Sequence, residues 1–113
     1  MNTLKIDIKS LEIADNDVLI GGYENTRYFD FNEAFNTKIQ LDNSQGYKTI
    51  ELSQITSPFM FVLVSDKEIN AKINDTEFTN TKMLLLNTNI SSIALSNSGL
   101  ETANVSILAW GVQ

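Results

Sequence analysis

The sequence predicts an all-β fold: a single small β-sandwich of jelly-roll or Ig-like type, with about eight antiparallel strands over residues 1–113. Three observations carry that expectation. Apolar and polar residues alternate with a period of two through most of the chain, the mark of half-buried strands. Clusters of Asn, Asp, Ser, Thr and Gly separate these stretches at spacings of roughly 8–12 residues, as in sandwiches and barrels. Finally, 13 Asn, 10 Thr and 10 Ser make up nearly a third of the chain. These side chains compete with helical backbone hydrogen bonds and suit turns and exposed strand faces.

The centre of the pattern is Ser57-Pro-Phe-Met-Phe-Val-Leu-Val-Ser65. Phe59 to Val64 is the longest uninterrupted apolar run. It fits a strand buried on both faces and falls far short of the roughly 18 apolar residues a membrane helix needs. Strict alternation follows, with Ile69, Ala71 and Ile73 on one side and Asn70, Lys72 and Asn74 on the other. Read alone, this places a hairpin turn at Ser65-Asp66-Lys67.

Upstream, Leu4, Ile6 and Ile8 alternate with Lys5, Asp7 and Lys9, and Leu11 and Ile13 continue the series. Asp15-Asn16-Asp17 marks a turn before Val18-Leu19-Ile20, and Gly21-Gly22 with Tyr23-Glu24-Asn25 reads as a break and loop. Residues 1–20 are therefore an edge hairpin, or an arm that packs on a neighbour. Tyr28 to Phe31 is a short strand, and Asn32 to Asn36 has the capping chemistry of one helical turn. Thr37–Leu41 and Tyr47–Leu52 alternate again across the turn Asp42–Gly46. Ser53–Pro58 bridges to the central strand, with the sole proline where a strand begins without losing a ladder donor.

Downstream, Asn74-Asp75-Thr76 is a turn, and Glu77–Thr79 and Lys82–Leu86 are strands separated by Asn80-Thr81. Asn87–Asn89 turns the chain toward a strand headed by Ile90, Ile93 and Leu95. Asn97-Ser98-Gly99 is a tight turn in which glycine offers positive φ. Thr102–Gly111 closes the series, with Val105, Ile107 and Ala109 on one face and Leu108 and Trp110 on the other. The residues expected to form core and interfaces are Phe59, Phe61, Leu63, Ile69, Ile73, Leu84, Leu86, Ile93, Leu95, Val105 and Ile107.

Composition excludes more chemistry than it suggests. A 113-residue chain builds one core, marginal without partners. Cysteine and histidine are absent. Their absence removes disulfides, thiolate metal sites, Ser-His and Cys-His nucleophile pairs, and the commonest general base and zinc ligand. A net charge of -6, with Arg27 the sole arginine, argues against nucleic acid as a partner. Met1–Asp7 lacks the charged and apolar regions of a secretory signal peptide, so export by that route is not expected. The composition and motifs of the whole chain point to no cofactor, no metal site, no membrane span and no catalytic residue, and the expectation is a protein that is not an enzyme.

The candidate sites that remain are few. Asp15-Asn16-Asp17 with Gly21 and Gly22 has the oxygen richness of a calcium loop but lacks its third acid and late glutamate, and reads as a solvated turn. Lys67 and Lys72 fit outward charge that discourages edge pairing better than a buried base. Trp110, Tyr23, Tyr28 and Tyr47 are candidates for a sugar-stacking platform, with Trp110 equally suited to a core plug or interface anchor. Asn74-Asp75-Thr76, Asn89-Ile90-Ser91 and Asn104-Val105-Ser106 match glycosylation sequons by letter, as chance allows in so Asn-rich a chain.

Three stretches together, Phe61–Asp75, Met83–Asn97 and Ala103–Trp110, resemble small virion proteins of bacteriophages. The likeness lies in a strand ending near Ser65-Asp66, then Ile69-Asn-Ala-Lys-Ile-Asn74. A leucine-rich segment running into Ile90-Ser-Ser-Ile-Ala-Leu-Ser-Asn97 and a final Ala103-Asn-Val-Ser-Ile107 strand complete it. It covers roughly residues 58 to 110. The resemblance implies a β-sandwich serving as a minor capsid, decoration, vertex or small tail component, located in the virion and made in the host cytoplasm. Its partners would be itself, as a homo-oligomer, and other virion proteins. The alternative from the residues themselves is a carbohydrate-binding or adhesive module using Tyr and Trp side chains.

Overall fold

The computed structural model describes residues 1–52 and 54–113. Its regular structure is entirely β, eight strands among the described residues, paired antiparallel throughout. The chain divides into two compact units, Met1–Phe31 and Asn32–Gln113.

The first unit is one long hairpin, β1 (Asn2–Ile13) against β2 (Leu19–Phe31). Its reversal is made by Ala14–Val18. There the Val18 carbonyl accepts the Ala14 N–H, the Ala14 carbonyl accepts the Asp17 N–H, and Asp17 takes a φ of 65°. Asp15-Asn16-Asp17 is thus the hairpin tip, with the Asn16 side-chain oxygen accepting the Val18 N–H. The expected break at Gly21-Gly22 is absent, because both glycines lie inside β2 opposite Glu12 and Leu11. Gly22 is needed there for space: a Cβ would sit 2.7 Å from the Ser10 carbonyl oxygen. The hairpin therefore runs beyond residue 20 and absorbs the expected short strand Tyr28–Phe31.

The second unit is a curled six-stranded sheet, a small all-β sandwich-like domain. It comprises β3 (Glu33–Leu41), β4 (Lys48–Thr49), β5 (Pro58–Ile73), β6 (Thr76–Asn87), β7 (Ile93–Ser96) and β8 (Ala103–Gly111). β5 is its spine. Along one side it pairs with β6; along the other it pairs with β8 through Ser65 and with β7 from Asn70 onward. β3 extends the β8 side and β4 the β7 side. One half of the sheet is thus β6-β5-β8-β3 and the other β6-β5-β7-β4.

The hairpin turn expected at Ser65-Asp66-Lys67 does not form. Those residues are a bulge inside β5, where the ladder to β6 skips from Val64 opposite Met83 to Ile69 opposite Thr81. Extra residues on one strand bend it and let it change partners at a sandwich corner. The Ser65 hydroxyl stabilises the bulge locally, donating to the Lys67 carbonyl at 2.6 Å. The true reversal is Asn74-Asp75, with φ of 50° and 68°, the two-residue turn whose double positive φ matches strand twist. The two strands expected over 77–86 are accordingly one, β6, kinked at Asn80 (φ 51°).

Three further expectations change. The helical turn at Asn32–Asn36 is strand instead, because β3 pairs with β8 from Glu33 opposite Gly111 onward, and ladder pairing overrides a weak capping signal. The strand expected over Tyr47–Leu52 shortens to Lys48–Thr49, although the Ile50 N–H still donates to the Ile93 carbonyl. No described glycine has positive φ, so the Asn97–Gly99 turn is made otherwise: the Asn97 side-chain oxygen accepts the Gly99 N–H at 3.0 Å. Of the expected bridge Ser53–Pro58, Ser53 lies outside the described residues.

Inward positions of both halves meet in one core. Phe61, Leu63, Val105 and Ile107 come from one half, and Ala71, Ile73, Ile93 and Leu95 from the other, joined by Leu41, Ile69, Ile90 and Ala103. Burying side chains of this size stabilises by roughly 1.5–3 kcal/mol each before entropy is counted. Leu84 and Leu86 pack against the cluster, while Phe59 is half-buried and outside it.

Candidate functional site

The bulge in β5 divides the outer face of the sheet into two surfaces of different chemistry. Strand alternation places Met60, Val62 and Val64 of β5 on that face. Met83 and Leu85 of β6 and Leu108 and Trp110 of β8 stand beside them in register. The middle of this half is apolar, bordered by Asn87, Ser106, Asn36 and Lys38. Val64, Met83 and Leu85 are exposed, so the central strand is not buried on both faces, contrary to expectation. Trp110 lies opposite Met60 and Ala34, half-buried on the outer face; it does not plug the core.

Beyond the bulge the same face turns polar. Asn70 lies opposite Ser96, and Lys72 lies between Glu77 and Ala94. Tyr47, just before β4, completes the surface, with the Lys72 ammonium 5.8 Å from its ring centroid. Asn43, Gln45, Tyr47, Asn70, Glu77 and Ser96 line a cleft of about 530 Å³ there. The cleft walls are braced. Asn43 donates to the Gly99 carbonyl at 2.6 Å, Ser44 N–H to the Asn97 carbonyl at 2.8 Å, and Asn70 accepts the Asn80 N–H at 3.2 Å. Burial, followed by the adjacent Glu77 carboxylate, pushes the Tyr47 phenol above its ordinary value, so it stays a neutral donor.

Three carboxylates of the second unit, Glu33, Asp66 and Glu101, are spent on structure. Glu33, at the start of β3, accepts from the Thr56 hydroxyl at 2.8 Å and from the N–H groups of Thr56 and Ser57. Burial pushes its carboxyl up, but these bonds outweigh it and hold the pKa below the ordinary value. Asp66 at the bulge accepts from the Asn104 side chain and N–H, which lower its pKa in that order. Lys67 bonds Glu101 at 2.8 Å, raising its own pKa and lowering that of Glu101. A carboxylate held ionised by such donors is a poor general acid. Among the described residues no group of three or more Asp or Glu side chains is placed to hold a metal ion.

The four aromatic candidates do not form one platform. Tyr23 and Tyr28 are five residues apart on β2 with unbroken register, and so face opposite sides of the ribbon. Tyr47 and Trp110 lie on different halves of the sheet. Two of the three sequon asparagines are engaged: Asn74 donates to the Asn89 carbonyl and accepts from Ser91 and Ser92, and Asn104 is bound to Asp66.

No protein-family model matches the chain, and no curated protein matches it. The polar residues Asn70, Glu77 and Gln45 carried no signal in the sequence, because only the long β5–β6 hairpin and the partner switch bring them beside Tyr47. The apolar tip of the first hairpin was legible as hydrophobic residues, but not as an exposed cluster. Leu11, Ile13, Val18, Leu19 and Ile20 all lie more than half exposed around the Ala14–Val18 turn.

Proposed function

We propose that the chain is a non-enzymatic structural protein of a bacteriophage particle, a minor capsid, decoration or vertex component, that assembles through its N-terminal hairpin. The exposed apolar tip of that hairpin carries the reading. All 31 residues of the unit are described and none is buried. A two-stranded ribbon has no core of its own and is marginally stable in water. Five aliphatic side chains held in water at its end gain free energy when a neighbouring subunit covers them. Repetition in a shell supplies such neighbours, and binding of the folded form stabilises it by mass action. The resemblance of residues 58–110 to small virion proteins supports the particle setting, and the acidic balance suits an outward-facing component.

The test is the mass in solution, by light scattering, of the full chain, of Leu19→Asp/Ile20→Asp, and of residues 32–113. An oligomer that both changes dissociate supports assembly through the tip. A monomer at every concentration, unchanged by either, overturns self-assembly through this hairpin.

A further inference from the structure

We propose that the polar face beside Tyr47 is a binding site for a neutral sugar. This inference is independent of the hairpin and of the particle role. Its groups are those a pyranose requires: an aromatic ring with 37% of the residue exposed, a carboxylate, and amide and hydroxyl groups facing one cleft. Glu77 already accepts from the Tyr47 hydroxyl, and its carboxylate keeps lone pairs to accept from a sugar hydroxyl as well. Gln45, exposed on the rim, offers both a donor and an acceptor. The Tyr47 ring presents apolar surface to the C–H face of a sugar.

Charge selects against other ligand classes. Lys72 and Glu77 face each other across the β5–β6 pair, so the site carries no net charge from them. None of the residues lining the cleft is an arginine, so its walls hold no guanidinium to grip a phosphate or carboxylate. The site is also preformed. The loop from Asn43 to Gly46 is tied to the Asn97–Gly99 turn, and Asn70 is fixed by Asn80 and by the Ser96 hydroxyl at 3.4 Å. A preformed cleft loses little conformational freedom on binding.

The experiment is a chemical-shift titration of the isotope-labelled full-length chain with maltotriose, cellotriose, chitotriose and mannotriose in turn. At least one should give saturable shifts in the millimolar range, centred on the amides of Gly46, Tyr47, Asn70 and Glu77. Tyr47→Ala should weaken that binding about tenfold or more, and Gln45→Ala, on an exposed loop, several-fold. Tyr47→Phe, which keeps the ring, should retain most of the affinity, and Trp110→Ala on the apolar half should change nothing. The proposal is overturned if no trisaccharide gives a saturable shift. It is equally overturned if the shifts map to the Trp110 face or the hairpin, or if binding survives both Tyr47→Ala and Gln45→Ala.

Discussion

The side-chain amide of Asn97 donates to the main-chain carbonyl of Leu41 at 2.8 Å, across 56 residues of sequence. The same nitrogen donates to the Glu101 carbonyl at 2.8 Å, while the oxygen accepts from Gly99, so this 1%-exposed amide joins the end of β3, the end of β7 and the loop to β8. Buried polar groups stripped of a partner cost about 1–3 kcal/mol. Asn97→Ala should lower stability by that order in urea unfolding. Asn97→Asp should be as harmful, because a carboxylate cannot donate to two carbonyls. Retention of the wild-type midpoint by either variant would remove Asn97 from the set of structural anchors.

Gly111 closes the sheet at the opposite end. A Cβ there would lie 2.6 Å from the Ser57 carbonyl oxygen and 2.9 Å from the Glu33 carboxylate, a clash with backbone that cannot rotate away. Gly111→Ala should therefore destabilise by about 1–3 kcal/mol, the range for overpacking. Gly46→Ala is the control, since nothing lies within 4 Å of its Cβ position. Equal unfolding midpoints for the two variants would contradict the close approach of β8 to the segment before β5.

Most of the β architecture was legible because period-two alternation survives wherever one strand face is buried. Of the eleven residues expected in the core, Phe61, Leu63, Ile69, Ile73, Ile93, Leu95, Val105 and Ile107 are in the central cluster. What misled was turn chemistry. Ser65-Asp66-Lys67 has the composition of a turn, yet a bulge uses the same residue types, and only partner strands decide between them. Gly21-Gly22 likewise signals a break, while its actual requirement is space against Ser10. The cleft was illegible because its residues come from β5, β6, β7 and the loop before β4, and no local pattern links them.

Stability should fall on both sides of neutrality. Glu33, Asp66 and Glu101 have folded pKa values below their ordinary 4.5, 3.8 and 4.5. The folded state then binds fewer protons, so their contribution is full above those values and is lost as pH falls through the lowered ones. Lys67 and Tyr47 are raised above 10.5 and 10.0, so their contribution is full below those values and is lost as pH rises through the folded ones. Urea midpoints plotted against pH should show a plateau with an acid and an alkaline limb. Glu101→Gln should shrink both, having removed the partner of Lys67. An unchanged alkaline limb in that variant would show that the exposed Lys67–Glu101 pair contributes nothing.

Phe61 and Met83 sit on adjacent strands but opposite faces of the sheet. Phe61 is fully buried in the central cluster, and its replacement by Ala should cost about 3–5 kcal/mol. Against a total stability of about 5–15 kcal/mol, that loss should leave a substantial unfolded fraction at elevated temperature. Met83 is 72% exposed, and Met83→Ser should change stability by less than about 0.5 kcal/mol. Circular dichroism melts distinguish these outcomes, and a large loss at Met83 would mean that the apolar half of the outer face is covered in solution.

The bulge in β5 makes the sharpest prediction, because it fixes which side each later residue faces. Val64 points outward and Ile69 inward, five positions apart, so alternation carries through the bulge without inversion. Deleting Lys67 alone makes the separation four. Ile69, Ala71 and Ile73 would then turn toward solvent, while Asn70, Lys72 and Asn74 would turn toward the core. That variant should fail to fold. Deleting Lys67 and Glu68 together removes more chain, including the Lys67–Glu101 ion pair, yet restores an odd separation and keeps Asp66 available to Asn104. It should fold with reduced stability. Dispersion of amide proton shifts reads the difference directly. A folded single deletion beside an unfolded double deletion would show that the corner, and not strand parity, sets the facing of β5.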